Sequence, residues 1–275
     1  MKGISKNKDL NHLFMIPFSL CAYSFLCNPV RNRVLPYIVK FIRHIGIVNI
    51  DIYMISVIWM SLLLFFLILF CFATKQSKLL NMNKKHLGKG MKMGWYIFLY
   101  SAVYIALCYR NEYEYHHTSH IFFGVIYYVL VAVCEEIVFR GLILENLYEY
   151  LKNKTSNNTK SVNISILFLS LLFALSHFSN IGTFSKRAVM IQIFGAFVYG
   201  ALFAIITLKT ESLLSAIILH AVNDISSAYS IIILKTGKNA ADVINGYGLT
   251  DIIALLPVAV YLLYLGMKSQ KCNLL

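Results

Sequence analysis

Three short polar clusters interrupt apolar runs of this chain: Cys134-Glu135-Glu136-Ile137-Val138-Phe139-Arg140, Phe173-Ala174-Leu175-Ser176-His177 and His220-Ala221-Val222-Asn223-Asp224. A charge near the centre of a bilayer costs at least about 2.5–3.5 kcal/mol on insertion scales, so such residues must face protein or water. On a helix Glu136 and Arg140 are i,i+4 and their side chains meet. Glu135 is five residues from Arg140, roughly 140° round the helix, and has no local partner. One carboxylate is thus held by a guanidinium and the other is left to move a proton. The bland alternative is a buried ion-pair network joining helices. Phe173 and His177 share a face one turn apart. His177 reads as a second base or a water-orienting group, against a capping role. His220, Asn223 and Asp224 crowd one helix face. They read as oxyanion donors or metal ligands, against interhelical hydrogen-bonding glue.

These clusters need elements to carry them, and composition says which. The chain has 275 residues, of which 59% are hydrophobic and only 13% charged. A soluble domain is nearer a quarter charged. Each spanning helix takes about 20 apolar residues. Runs poor in Asp, Glu, Lys and Arg lie at 10–27, 52–73, 94–109, 121–144, 162–179, 188–208, 213–234 and 250–267. The expected fold is an all-α integral membrane protein of about eight transmembrane helices in one bundle. Residues 34–50 mix apolar side chains with Lys40, Arg43 and His44, and read as an amphipathic helix in the interface. The whole chain, 1–275, reads as one polytopic domain with a motif-bearing core at 121–230. Lys75, Lys78, Lys84, Lys85, Lys89 and Lys92 crowd the segment between the second and third runs. That bias places this segment and both termini in the cytoplasm of a multi-pass protein of a microbial cell membrane.

The formal charge of +13 follows the loops between apolar runs. It is membrane topology, and no nucleic-acid partner is expected. GxSxG and HExxH are absent, which removes a serine elbow and a zincin helix. The six cysteines lie in or beside apolar runs without a CxxC spacing. The histidine-rich stretch 111–120 reads as a solvated loop.

EExxxR, FxxxH and HxxxN/D, in this order and each in an apolar span, resemble the CPBP family of type II CAAX prenyl endopeptidases and bacteriocin-processing proteins, also called the Abi family. That resemblance implies a multi-helix intramembrane endopeptidase acting on a membrane-associated peptide or protein within the lipid bilayer. Carried over by motif, Glu135 and His177 activate the attacking water. Glu136 and Arg140 form a supporting ion pair beside Phe173, and His220 with Asp224 or Asn223 holds the oxyanion. The last motif position, often Asn in the family, is Asp224 here. An ionised aspartate cannot donate to an oxyanion. An orienting role on His220 is the favoured reading, with protonation of Asp224 or donation by Asn223 as the others. No cofactor is certain. Zinc on Glu135, His177 and His220 is one option, and a metal-free glutamate mechanism is the other.

The leading reading is an intramembrane protease, glutamate- or metal-dependent. Its substrate is a prenylated CAAX-type C-terminus, or a bacteriocin or signal-peptide precursor. A proton-coupled secondary transporter is the second reading, weighed down by the lack of an inverted repeat and of a Gly/Pro-broken helix pair. A non-catalytic scaffold or immunity protein is the third.

Overall fold

The computed structural model describes residues 12–20, 23, 31–46, 51–76, 80–109, 113–155 and 157–271. Among these no strand forms, and helices follow one another throughout. Residues 12–20 are helical. Next come α1 (Arg31–His44), α2 (Ile52–Ala73), α3 (Leu87–Met93) and α4 (Trp95–Cys108). A continuous rod follows: α5 (Thr118–Glu136), a π-helical segment (Ile137–Leu144) and α6 (Glu145–Lys154). The remainder is α7 (Asn158–Ser176), α8 (Lys186–Thr210), α9 (Leu214–Ser227), α10 (Tyr229–Ile232), α11 (Ala240–Asn245) and α12 (Leu249–Lys271).

Four helices are long and apolar enough to cross a membrane: Ile52–Ala73, Thr118–Lys154, Asn158–Asn180 and Lys186–Thr210. The bent pair Leu87–Met93 and Trp95–Cys108 makes a fifth. The expected count of about eight is therefore not reached among the described residues. The run 213–234 breaks at Ala228. Its 14-residue α9 is only about 21 Å long, short of a hydrocarbon core of about 30 Å. It is held inside the bundle instead, with Leu219, His220 and Ala221 buried. Leu249–Leu262 is apolar but short. Of the run 10–27 only 12–20 and 23 are among the described residues, and 47–50 at the end of the expected amphipathic helix lie outside them. That helix forms over Arg31–His44, burying Ile42 and exposing Val34, Tyr37 and Phe41.

The run 94–109 is also corrected. Its helix pair bends by 58° at Gly94, so the chain does contain a Gly-broken helix. A Cβ on Gly94 would stand 2.3 Å from Leu219 Cδ1, a distance no real Cβ occupies, so glycine lets this bend press against α9. The run 121–144 is likewise longer than expected, because the π segment carries the helix on to Lys154.

Serines at the helix contacts satisfy themselves. Ser165 donates to Ser161 O at 2.8 Å and Ser170 to Ile166 O at 2.6 Å. These i−4 bonds let small polar residues pack between helices without orphaned hydroxyls. Large apolar side chains such as Phe65, Phe66, Leu107 and Leu167 remain exposed on the outside, as helices in lipid require.

Candidate active site

The two glutamates sit where α5 gives way to the π segment. All eight residues of that segment are buried. π-Turns widen a helix and are frequent at functional sites. Here the widening starts one residue after Glu136, so both carboxylates leave the rod at its change of pitch. Arg140, within the segment, donates from Nη1 to Glu136 Oε1 at 2.9 Å, and neither side chain is exposed. Arg140 Nη2 reaches Gly200 O at 3.3 Å. Gly200 makes that reach possible, since a Cβ there would lie 3.2 Å from Phe173 Cδ1 and 3.4 Å from Ser170 Cα. The guanidinium also lies over the rings of Phe173, 4.5 Å from the centroid, and Phe203, at 5.4 Å.

Glu136 has a second close partner. His220 Nδ1 is 2.8 Å from the same Oε1. The ring's other nitrogen, Nε2, stands 3.4 Å from Asp224 Oδ2 and 3.7 Å from Glu135 Oε2. Since a carboxylate only accepts, Nδ1 carries the proton towards Glu136, and Nε2 is the atom turned to the cavity. Glu136 rather than Asp224 thus makes the short contact that fixes this ring. Asn223 Nδ2 donates to Asp224 Oδ1 at 3.4 Å.

Glu135 is not without a partner. Tyr23 donates its hydroxyl to Glu135 Oε1 at 3.0 Å, from 112 residues upstream. Its ring packs edge-on against Phe139. Sequence reasoning missed Tyr23, and no local signal could have found it: it lies in the first apolar run, 10–27, far from the motifs.

His177 lies just beyond the α-helix, as the first residue of a 3-10 turn, His177–Asn180. That break turns its ring back, so that Nδ1 donates to Phe173 O at 3.0 Å. The tautomer is then set, and Nε2 keeps its lone pair. Phe173 is the hub of this wall: it meets His177 edge-on at 5.3 Å and His220 at 6.1 Å.

One cavity of about 480 Å³ joins these groups. Its lining includes Glu135, His177, His220, Asn223 and Asp224. Arg140 and Glu136 lie behind it. The histidine-rich stretch stays apart, and it is not merely a solvated loop. His120 is in α5, 2.5 Å from Asp51 Oδ2 and stacked on His116 at 4.1 Å.

Among the described residues no three His, Cys, Asp or Glu side chains gather as a metal-ligand set. Both nitrogens of His220 are already turned to carboxylates.

Apolar spans around a buried carboxylate–histidine cavity define a helical, multi-pass membrane protein with a polar intramembrane site. Residues 117–226 match the family model described as type II CAAX prenyl endopeptidase Rce1-like. The matched stretch, 110 of the 275 residues, holds all three motifs, and over that stretch the chain is similar to this family. Searches of curated proteins and of solved structures found no match.

Proposed function

We propose that the chain is an intramembrane endopeptidase that hydrolyses a peptide bond through a water activated by Glu135 and His177. The observation that carries this is the single cavity lined by Glu135, His177 and His220, each from a different part of the fold. Glu135 takes a proton from the water as its oxygen attacks the carbonyl carbon, with His177 Nε2 accepting the water's hydrogen bond. The oxyanion that forms accepts a hydrogen bond from Nε2–H of a protonated His220, whose other proton stays on Nδ1 towards Glu136. When the C–N bond breaks, the proton held by Glu135 passes to the departing amine, which restores the carboxylate. Glu136 and Arg140 hold His220 in place and do not touch substrate. The substrate is a membrane-associated peptide, either a CAAX-type tail or a precursor peptide.

With both termini cytoplasmic, the lysine-rich segment is cytoplasmic too. Lys89 bonds Lys209 O at 2.8 Å, at the C-terminal end of α8. Ser179, Asn180, Val243 and Ile244, which also line the cavity, lie towards the other end of that helix, where Asn245 accepts from Ser185 N.

The test is cleavage of membrane-anchored peptides by the full chain in liposomes, read by mass spectrometry. Glu135→Gln and His177→Ala are expected to lose about 10²–10⁴ in rate, at an unchanged unfolding temperature. A chelator is expected to leave wild-type cleavage unchanged. Undiminished cleavage by either variant overturns the reading. The transporter is the second reading, although the one break at Gly94 is not the pair of broken helices in matching halves that transporters carry. Proton-coupled uptake abolished by Glu135→Gln, without cleavage, would establish it.

A further inference from the structure

The lining of the cavity continues past the reacting groups to a set of tyrosines, the tyrosine arm. Tyr100 comes from α4, Tyr199 from α8 and Tyr247 from the turn before α12, with Asp251 in the first turn of α12. Tyr100 and Tyr247 lie near enough to Asp251 to feel its charge, and Tyr247 feels Asp224 as well. Tyr199 neighbours both of those rings. Its hydroxyl is buried and has no hydrogen-bond partner among the described residues. The carboxylates of Glu135, Asp224 and Asp251 all line the cavity, whereas no Lys or Arg does among the described residues.

Aromatic faces backed by carboxylates make a receptor for a cation. A ring face attracts an ammonium or guanidinium, more strongly where water is excluded. The same walls repel an anion. A CAAX-type tail ends in a free carboxylate, which would have to enter among three carboxylates with no Lys or Arg to meet it.

We propose that the tyrosine arm binds a lysine or arginine side chain of the substrate, so that the protein cuts internal peptide bonds beside a basic residue. This rests on the hydrolase reading above and names its substrate class: a cationic peptide segment without a prenyl group.

The experiment uses the full chain in liposomes and quenched-fluorescent peptides in which one Lys, Arg, norleucine or Glu is walked through an Ala-Leu background. Binding of the same peptides to the Glu135→Gln variant is read by fluorescence anisotropy. Lys and Arg peptides are expected to be cut about tenfold more efficiently than norleucine ones, the value of one cation–π contact. Asp251→Asn keeps an oxygen for Gly248 N, which Asp251 Oδ2 now serves at 2.7 Å, and is expected to bring that ratio close to one. Tyr247→Leu should lower the ratio as well, while Tyr247→Phe, which keeps the ring, should preserve it. Equal cleavage of Lys and norleucine peptides, or better cleavage of a farnesylated tail, overturns the cation site and leaves the hydrolase reading standing. Preferred binding of Lys peptides without any cleavage keeps the cation site and sinks the hydrolase. Neither cleavage nor preferred binding overturns both.

Discussion

Glu136 and His220 meet at 2.8 Å across 84 residues of chain, through a carboxylate oxygen that Arg140 also engages at 2.9 Å. Two side chains thus converge on one atom, one from the same helix and one from α9. The contact leaves His220 Nε2, and not Nδ1, facing Asp224, Glu135 and the cavity. The ring nitrogen that faces the cavity is selected by a residue outside the cavity lining.

Arg140→Ala removes the cation from a pair with no exposure to water. Breaking one partner of a buried pair costs about 3–5 kcal/mol. The variant is expected to unfold at a markedly lower temperature in detergent, and to lose cleavage with it. Arg140→Lys restores little, because one ammonium cannot serve both Glu136 and Gly200 O as the planar guanidinium does.

Tyr23→Phe keeps the ring against Phe139 and deletes the bond to Glu135. A hydrogen bond to a charged group contributes about 1.5–3 kcal/mol. The expected result is a fall in kcat of about 10- to 100-fold, with KM and unfolding temperature little changed. Equal loss in kcat and in stability would show that the hydroxyl is only structural.

His177→Asn separates the two roles of that ring. Asparagine can still donate to Phe173 O, the bond that Nδ1 makes at 3.0 Å, but it offers no basic nitrogen at the Nε2 position. Folding is expected to be retained and cleavage lost by about 10²–10⁴. Residual activity near wild type would assign His177 to capping alone.

Burial, and then the neighbouring His120, hold the His116 imidazole below its ordinary value of 6.5. The unfolded chain therefore takes up the proton first as pH falls. The stability tied to neutral His116 is full above pH 6.5 and is lost as pH drops towards the folded value. The effect is small, since the ring is largely in water. His116→Gln is expected to flatten the acid side of the unfolding-temperature profile. A profile identical to wild type would remove His116 from it.

Much of the site was legible from spacing. An i,i+4 relationship is imposed by helical geometry whatever surrounds it, so the Glu136–Arg140 contact followed from five letters of sequence. The all-helical membrane class followed from the cost of placing unsatisfied peptide groups in lipid. Three polar clusters in apolar runs marked which helices must turn inward. Hydropathy could not tell a lipid-crossing helix from one buried in protein, because both exclude water. That is why α9 was counted as a span.

Contacts between distant segments were out of reach for the same kind of reason. Tyr23 on Glu135, His220 on Glu136, Gly200 O on Arg140 and the tyrosine arm beside Asp251 all depend on how helices stack, and stacking leaves no period in the chain. Local spacing alone decided which groups are polar neighbours along a helix and that they must avoid lipid. Only the packed structure decided which oxygen each nitrogen faces, because that depends on sub-ångström side-chain fit between elements far apart in sequence.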